Sequence, residues 1–573
     1  MTVALREFNN PDRNFLPPGL EIEGWESLSP FLRELLSADL ASASGLVEWL
    51  KKLSEVEAAL YEDLAWRYIR MTCNTADPGF RASYNDFVEN VLSKFKTEEN
   101  LIRKKLIASP FLNELKASEY QILIRSFKNS LELFRENNIP LLSKVQTLAQ
   151  KYGEITGVLE IEHEGEHFTL PKAASLLENQ DRNLREIIWK KISDRRLIER
   201  ENLDTLFDEL ITIRQQIAKN AACDSFVDYC FKELGRFDYT EADCMRFHEA
   251  VEKEIKPIYQ RFQKQRLEKL GIDKLRPWDL SVDIFGDQPL VPFSNATELI
   301  SKSIKIFNAL DPEFGNLVSS LNDNGLLDLE SRKGKAPGGY NYPLPETGLS
   351  FIFMNSVGTV GDLITMVHEA GHALHAGAMQ KLELNEFRNV PSEIAELASM
   401  SMELLTMDLW NEFFPNPEEL KRAKFEELSR TINILPWVAT IDCFQLWVYR
   451  NPKHTSTQRS EEWVRIFKRF HGDIVDWSGY EPELGGLWQK QIHIFEVPFY
   501  YIEYGMAQLG AIAIWRNYKM NPAATIANYK KFLSLGYTKT IPELYAAAGI
   551  TFGFSHEYIS ELAEFMVGEL DRL

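Results

Sequence analysis

Apolar residues recur at three- and four-residue spacing through most of this chain, and no other feature restricts its fold as much. In "ENLDTLFDELITIRQQIAKNA" (201–221), Leu203, Leu206, Phe207, Leu210 and Ile213 form one stripe of a 3.6-residue helix. Similar stripes run through 29–70, 86–152, 240–270 and 295–322. Patterns of β type are scarce. "GVLEIEHEGEHFTL" (157–170) alternates Leu159, Ile161 and then Phe168, Leu170 about Glu164-Gly165, which predicts a hairpin. "GLSFIFMN" (348–355) predicts a second short β run, after the Gly/Pro-rich "APGGYNYPLPET", which reads as loop. The expected fold is mainly α, with a small β-sheet.

Composition narrows the function classes. The 84 acidic residues outnumber the 64 basic ones, for a formal net charge of -20. A groove for nucleic acid or an anionic membrane normally needs the opposite sign. No stretch approaches the ~18 apolar residues of a membrane span. The first 19 residues lack the charged-then-apolar plan of a secretory leader. The cysteines (Cys73, Cys223, Cys230, Cys244, Cys443) are few and not spaced for a metal or a redox pair. A cytoplasmic protein with reduced thiols is expected. No fixed-period repeat or Gly/Ser linker marks a sharp domain boundary.

His-Glu-x-x-His occurs twice, as "HEGEH" (163–167) and "HEAGH" (368–372). The pattern works on a helix, where histidines four residues apart stack on one face and can close on one tetrahedral ion. "HEGEH" sits inside the period-2 pattern. At a hairpin tip His163 and His167 fall on opposite arms and Glu164 belongs to the turn, so this copy reads as a decoy. "HEAGH" lies in "GTVGDLITMVHEAGHALHAGAM" (358–379), where Thr359 and Asp362 fit an N-terminal cap. Leu363, Ile364, Met366, Val367, Ala370 and Leu374 give that helix a broad apolar surface. There His368 and His372 can ligate zinc, and Glu369, one residue aside, can reach a water instead of the ion. Gly371 costs about 1 kcal/mol relative to alanine inside a helix. It is easiest to understand if something packs against the backbone there.

The third ligand is open on these grounds. His375 shares a face with His372, but one helix rarely wraps three ligands around an ion, and a packing role suits it better. "VPSEIAELASMSMELL" (390–405) carries Glu393, Glu396 and Glu403, with a small edge for Glu396 over Glu393. Further on, Pro498 suits the first turn of a helix that would set Tyr500 and Tyr504 on one face and Tyr501 a turn from Tyr504. An aromatic stripe is usually core, yet tyrosine hydroxyls and a nearby His493 can also donate to an oxyanion.

These motifs together resemble the thimet oligopeptidase family of zinc metallopeptidases, in its oligoendopeptidase F-like branch. The resembling stretches are "KAPGGY" (335–340), "FIFMNSVGTVGDLITMVHEAGHALHA" (351–376), "AELASMSMELL" (395–405) and "HIFEVPFYYIEYGMAQLGA" (493–511), with "LITIRQQIAKNA" and "RPWDL" upstream. The resemblance implies a two-lobed helical peptidase with a central substrate channel. It implies an N-terminal helical lobe over 1–190, containing the hairpin near 157–170, and a catalytic region over 191–573. It selects Glu396 as third ligand beside His368 and His372, for one zinc per chain, and makes Glu403 a partner for a histidine ring. It gives Glu369 the role of general base and His493 and Tyr504, with Tyr501, that of oxyanion donors. Peptide would lie along "LSFIFMN", beside a flexible loop at Gly338, Gly339 and Tyr340, with Tyr500 close by. The implied activity is cleavage of internal bonds in short peptides, with neither nucleic acid nor membrane as partner and no statement on oligomeric state. A zinc carboxypeptidase and a non-enzymatic helical peptide-binding protein are the alternatives.

Overall fold

The computed structural model describes residues 13–286 and 288–573 of the 573-residue chain. Residues 1–12, which hold most of the segment read for a leader and the start of the expected N-terminal lobe, lie outside the described residues. Among the described residues, no helix is long and apolar enough to cross a membrane.

Helix dominates, as the periodicity predicts. Eight helices bear on the site: α1 (Ala43–Cys73), α2 (Arg200–Asn220), α3 (Glu241–Ala250), α4 (Val360–Met379), α5 (Ser392–Met407), α6 (Pro417–Arg450), α7 (Tyr501–Met520) and α8 (Pro522–Ser534). In α2 the five stripe residues Leu203, Leu206, Phe207, Leu210 and Ile213 are all buried. Most helical stability in a protein comes from packing an amphipathic face, so removing that face from solvent is what holds α2.

The predicted hairpin is present as β1 (Glu160–His163) and β2 (Glu166–Thr169), paired antiparallel. Glu164 and Gly165 have φ of 52° and 81°, so both central residues of the two-residue turn are left-handed. Glu162 pairs with His167 and His163 with Glu166. Paired residues share a face and neighbours alternate, so the two histidine rings leave the hairpin on opposite faces. They cannot close on one ion.

The second sheet has the order β3-β5-β4, from β3 (Leu327–Glu330), β4 (Tyr340–Leu344) and β5 (Leu349–Ser356). β3 runs parallel to β5 and β4 antiparallel to it. Two sequence expectations change here. "LSFIFMN" is strand, but it is the central one, paired with β4 over 349–353 and with β3 from 352 on, so it offers no continuous free edge to a peptide. Part of the Gly/Pro-rich stretch read as loop is itself the edge strand β4. Pro343, opposite Ser350, is tolerated there because an edge strand has one side that needs no ladder N–H.

By internal contacts the chain forms two compact units. One comprises the described residues of Met1–Leu131, Leu290–Ala423 and Gly510–Phe552, and includes α1, α4, α5, α8 and the three-stranded sheet. The other comprises those of Glu132–Pro289, Lys424–Leu509 and Gly553–Leu573, and includes the hairpin, α2 and α3. The chain enters each unit more than once. A boundary near residue 190 marks a change in motif content, which is a different kind of division.

Candidate metal centre

α4 begins where the sequence places its cap. Thr359 Oγ1 accepts from the Asp362 N–H at 3.2 Å, and Asp362 Oδ2 accepts from the N–H groups of Val357, Gly358 and Thr359 at 2.9–3.0 Å. That reciprocal pair satisfies orphan donors and fixes the helix phase two turns ahead of His368. α5 lies against α4 at Gly371. A Cβ added there would fall 2.6 Å from the Ser399 Cα and 3.0 Å from the Ala398 oxygen. The glycine is therefore a close-approach position, and the neighbouring helix supplies the packing that the sequence anticipates. The Tyr529 hydroxyl of α8 donates to that same Ala398 oxygen at 2.7 Å, holding α5 from another side.

With the helices this close, α5 delivers two glutamates to the histidines of α4. Glu396 Oε2 lies 3.4 Å from His368 Nε2 and 3.8 Å from His372 Nε2. Ligands about 2.1 Å from a shared tetrahedral zinc stand about 3.4 Å apart, so the donor triangle fits that ion. Each of the three offers one ligand atom, all within 4.8 Å of one another. Two imidazoles and one carboxylate are a zinc-type set, and three protein ligands leave the fourth position open. Glu403, two turns beyond Glu396, has Oε1 2.6 Å from His368 Nδ1. Accepting from Nδ1–H, it turns the Nε2 lone pair toward the ion position.

The charges follow from burial and pairing. Burial raises the Glu396 carboxyl, but the His368 and His372 rings beside it outweigh that and hold the group at about 2. Burial lowers His372 to about 4, which leaves it neutral, as a ligand must be. Burial also lowers His368, but Glu396 and Glu403 overcome it and raise that ring well above its usual value. His375, 2 % exposed, is lowered to about 3 by burial and packs 5.7 Å from the Phe532 ring. It stays outside the donor triangle. Glu393 is buried on α5 without joining it. A second group of neighbouring carboxylates, Glu57, Glu99 and Glu386, contains no imidazole. Glu99 is already held by Lys96 at 3.0 Å and Arg103 at 2.7 Å.

Glu369 faces the edge strand. Its carboxylate accepts from the backbone N–H of Asn341 in β4, and burial, with Glu396 and Glu403 adding to it against His368, lifts its pKa to about 7. No local signal marks Asn341, because its strand is hidden in a stretch rich in Gly and Pro. The loop before β4, expected to be flexible, makes several hydrogen bonds. Asn355 Nδ2 donates to the Ala336 and Gly338 carbonyls at 2.8 and 2.9 Å, and the fully buried Lys335 ammonium bonds the Glu330 and Met354 carbonyls. Gly339 lies close on α4, where a Cβ would meet Thr365 Cγ2 at 3.2 Å. Tyr340 stacks on Phe353 at 4.7 Å, and its hydroxyl is 2.6 Å from Thr72 Oγ1.

In the other unit the His/Tyr segment forms a cluster. The His493 ring centroid is 5.0 Å from Tyr501 and 5.9 Å from both Tyr500 and Tyr504. Pro498 does not open the helix as expected. Phe499 takes φ of 65°, a left-handed conformation rare for a bulky residue, so α7 starts at Tyr501 and Tyr500 precedes it. The turn is over-determined by its surroundings. The Phe499 N–H donates to Gln445 Oε1 at 3.1 Å, and Arg236 donates to the Phe499 carbonyl and to Glu503.

Comparison with known proteins accords with this geometry. The family profile described as "Peptidase family M3" matches residues 175–564, and that described as "Peptidase M3 N-terminal domain" matches residues 20–134. An "Oligoendopeptidase F homolog" of Mycoplasma pneumoniae is 24% identical over 572 residues, spanning 86% of this chain and 89% of the relative. "Oligopeptidase PepF" of Bacillus subtilis is 23% identical over 314 residues, spanning 51% and 43%. Among solved structures, PZ peptidase A with an inhibitor superposes with a TM-score of 0.88 at 28% identity, over 98% of this chain and 99% of that one.

Proposed function

The chain belongs to Peptidase family M3, and on that premise we propose how its residues divide the work of a zinc-dependent endopeptidase acting on short peptides. The activity class follows from the family together with the His368–His372–Glu396 donor triangle. The observation that carries the division of roles is Glu369, buried on α4 one residue from the ligand His368, with its carboxylate at the Asn341 N–H of β4. Zinc held by the triangle supplies Lewis acidity toward water and the scissile carbonyl. Glu369 takes the proton of the attacking water and passes it to the leaving amine. His493 and Tyr504, with Tyr501 beside them, donate to the oxyanion.

Peptide binding is assigned to the β4 edge in place of β5. Gly338, Gly339 and Tyr340 lead into that edge, and main-chain groups on its outer side can pair with an extended substrate. Tyr500 is a further substrate contact. The catalytic region over 191–573 and a cytoplasmic location complete the proposal; few cysteines support the location. One experiment tests the activity. An end-blocked peptide is incubated with zinc-loaded and with chelated protein, and product masses are read. Internal cleavage that requires zinc is expected. Trimming from the C-terminus would favour a carboxypeptidase, and no cleavage a binding protein.

A further inference from the structure

We propose that Trp437 and Gln491 set the protonation of the His493 side chain, so that it presents a neutral Nε2–H donor. The proposal rests on the reading of His493 as an oxyanion donor and adds the two residues that position it for that task. Its starting point is an indole, whose Nε1–H can only donate. Trp437, on α6 directly after Pro436, donates to Gln491 Oε1 at 3.0 Å. That bond decides which way the glutamine amide lies. Its oxygen faces the indole, and its NH2 faces His493, with Gln491 Nε2 2.7 Å from His493 Nδ1.

An amide NH2 has no acceptor capacity, so Nδ1 must accept, and the ring proton sits on Nε2. The flipped amide would set two N–H groups against each other at the indole and lose that bond. Protonating the ring on both nitrogens would likewise aim Nδ1–H at the NH2. The contact therefore favours the neutral ring with its proton on Nε2 over both other forms. An oxyanion donor needs this state, with an N–H fixed before charge develops and no proton to rearrange.

The Tyr501 ring lies 5.0 Å from that of His493. The indole is itself fixed, with the Lys490 ammonium 4.7 Å from its centroid and the Trp463 ring 5.7 Å away edge-on. The backbone carrying His493 is fixed separately. Arg214, 1 % exposed, donates to the Ile494 and Phe495 carbonyls and to the Tyr449 hydroxyl. The Trp437–Gln491 pair sets the proton.

The test uses full-length zinc-loaded protein labelled with 15N-histidine. Two-bond proton–nitrogen correlations show which ring nitrogen is unprotonated, and His493→Gln assigns the signal by its loss. In the wild type the pyridine-type nitrogen of His493 is expected to be Nδ1. Gln491→Glu is nearly isosteric and keeps the bond from Trp437 but accepts at Nδ1, so the ring should become Nδ1–H or doubly protonated. Its kcat should then fall at least about tenfold with KM within about twofold, since a donor used only in the transition state is disturbed. Trp437→Phe should show a mixture of ring forms and an intermediate kcat. An unprotonated Nε2 in the wild type overturns the proposal, and that measurement needs no variant to fold. Unchanged ring shifts and kcat in Gln491→Glu overturn it too. Full kcat in His493→Gln would instead sink the oxyanion reading and leave the protonation assignment to stand on the nitrogen shifts.

Discussion

Glu369 shares a helix with two ligands but not their task, and the difference lies in one residue of offset. One residue past His368, it meets the Asn341 N–H of β4 instead of completing the donor triangle. Glu369→Gln keeps size and hydrogen bonding but cannot take a proton. Zinc content and peptide affinity should stay near wild type while kcat falls by about a hundredfold or more, as loss of a general base requires. Metal analysis beside steady-state kinetics checks it, and kcat above roughly a tenth of wild type would remove Glu369 from the role. The histidines make a paired comparison. His368→Ala and His372→Ala should each lose zinc and activity, since three protein ligands have no spare. His163→Ala and His167→Ala should change neither, because the hairpin sends those rings to opposite faces. This much was legible in the residues, as helix or hairpin periodicity decides what a four-residue spacing means. Asn341 and Gln491 were not legible. Each acts through a partner far away in sequence, and nothing local to either records that.

Two helices form the metal centre, so their separation is itself a variable. Gly371→Ala should gain about 1 kcal/mol of helix propensity in α4. It must also place a methyl 2.6 Å from the Ser399 Cα, a backbone atom that no rotamer change can move. Overpacking of that kind costs about 1–3 kcal/mol, so the clash should win and push α5 away with Glu396 and Glu403. Lower melting temperature and weaker zinc retention against a chelator are expected together; unchanged values for both would show that the helices can give. A second helix pair makes a pH prediction. His248 of α3 has Nε2 2.9 Å from Asp442 Oδ2 of α6, both buried. Burial lowers the ring, but the hydrogen bond and charge of Asp442, with a contribution from Cys443, raise it to about 9. A raised folded-state pKa means stabilisation that is full below about pH 6.5 and is lost as pH rises through about 9, on the order of 3 kcal/mol in all. Denaturant midpoints should fall across that window in the wild type, and His248→Gln should flatten this part of the slope. Element type was readable from period alone in α2 and in the hairpin. Element ends were not: β4 was hidden by Pro343, and α7 loses its expected first turn to Phe499, whose conformation only its buried neighbours impose.

At the scale of the whole molecule the dominant quantity is charge, a formal -20 spread over the chain. Composition shows this directly, whereas the two compact units interleave along the chain and no local signal marks where they divide. A net charge of this size acts on a substrate before any contact forms. It draws cationic peptides in and repels acidic ones, over a range set by the Debye length of ~30 Å at 0.01 M salt and ~10 Å at 0.1 M. Three peptides with one shared core and flanks that are basic, neutral or acidic separate this effect from cleavage preference. At low salt kcat/KM should rank basic above neutral above acidic. Added potassium chloride should lower the first, raise the last and leave the neutral peptide nearly flat, so that the three converge. The field acts on encounter and on loosely bound substrate, so kcat at saturation should change little across the series. Parallel salt slopes for all three peptides would mean that the field near the centre does not follow the net charge of the chain. A reversed ranking at low salt would mean that cationic groups, zinc among them, set the local potential against it.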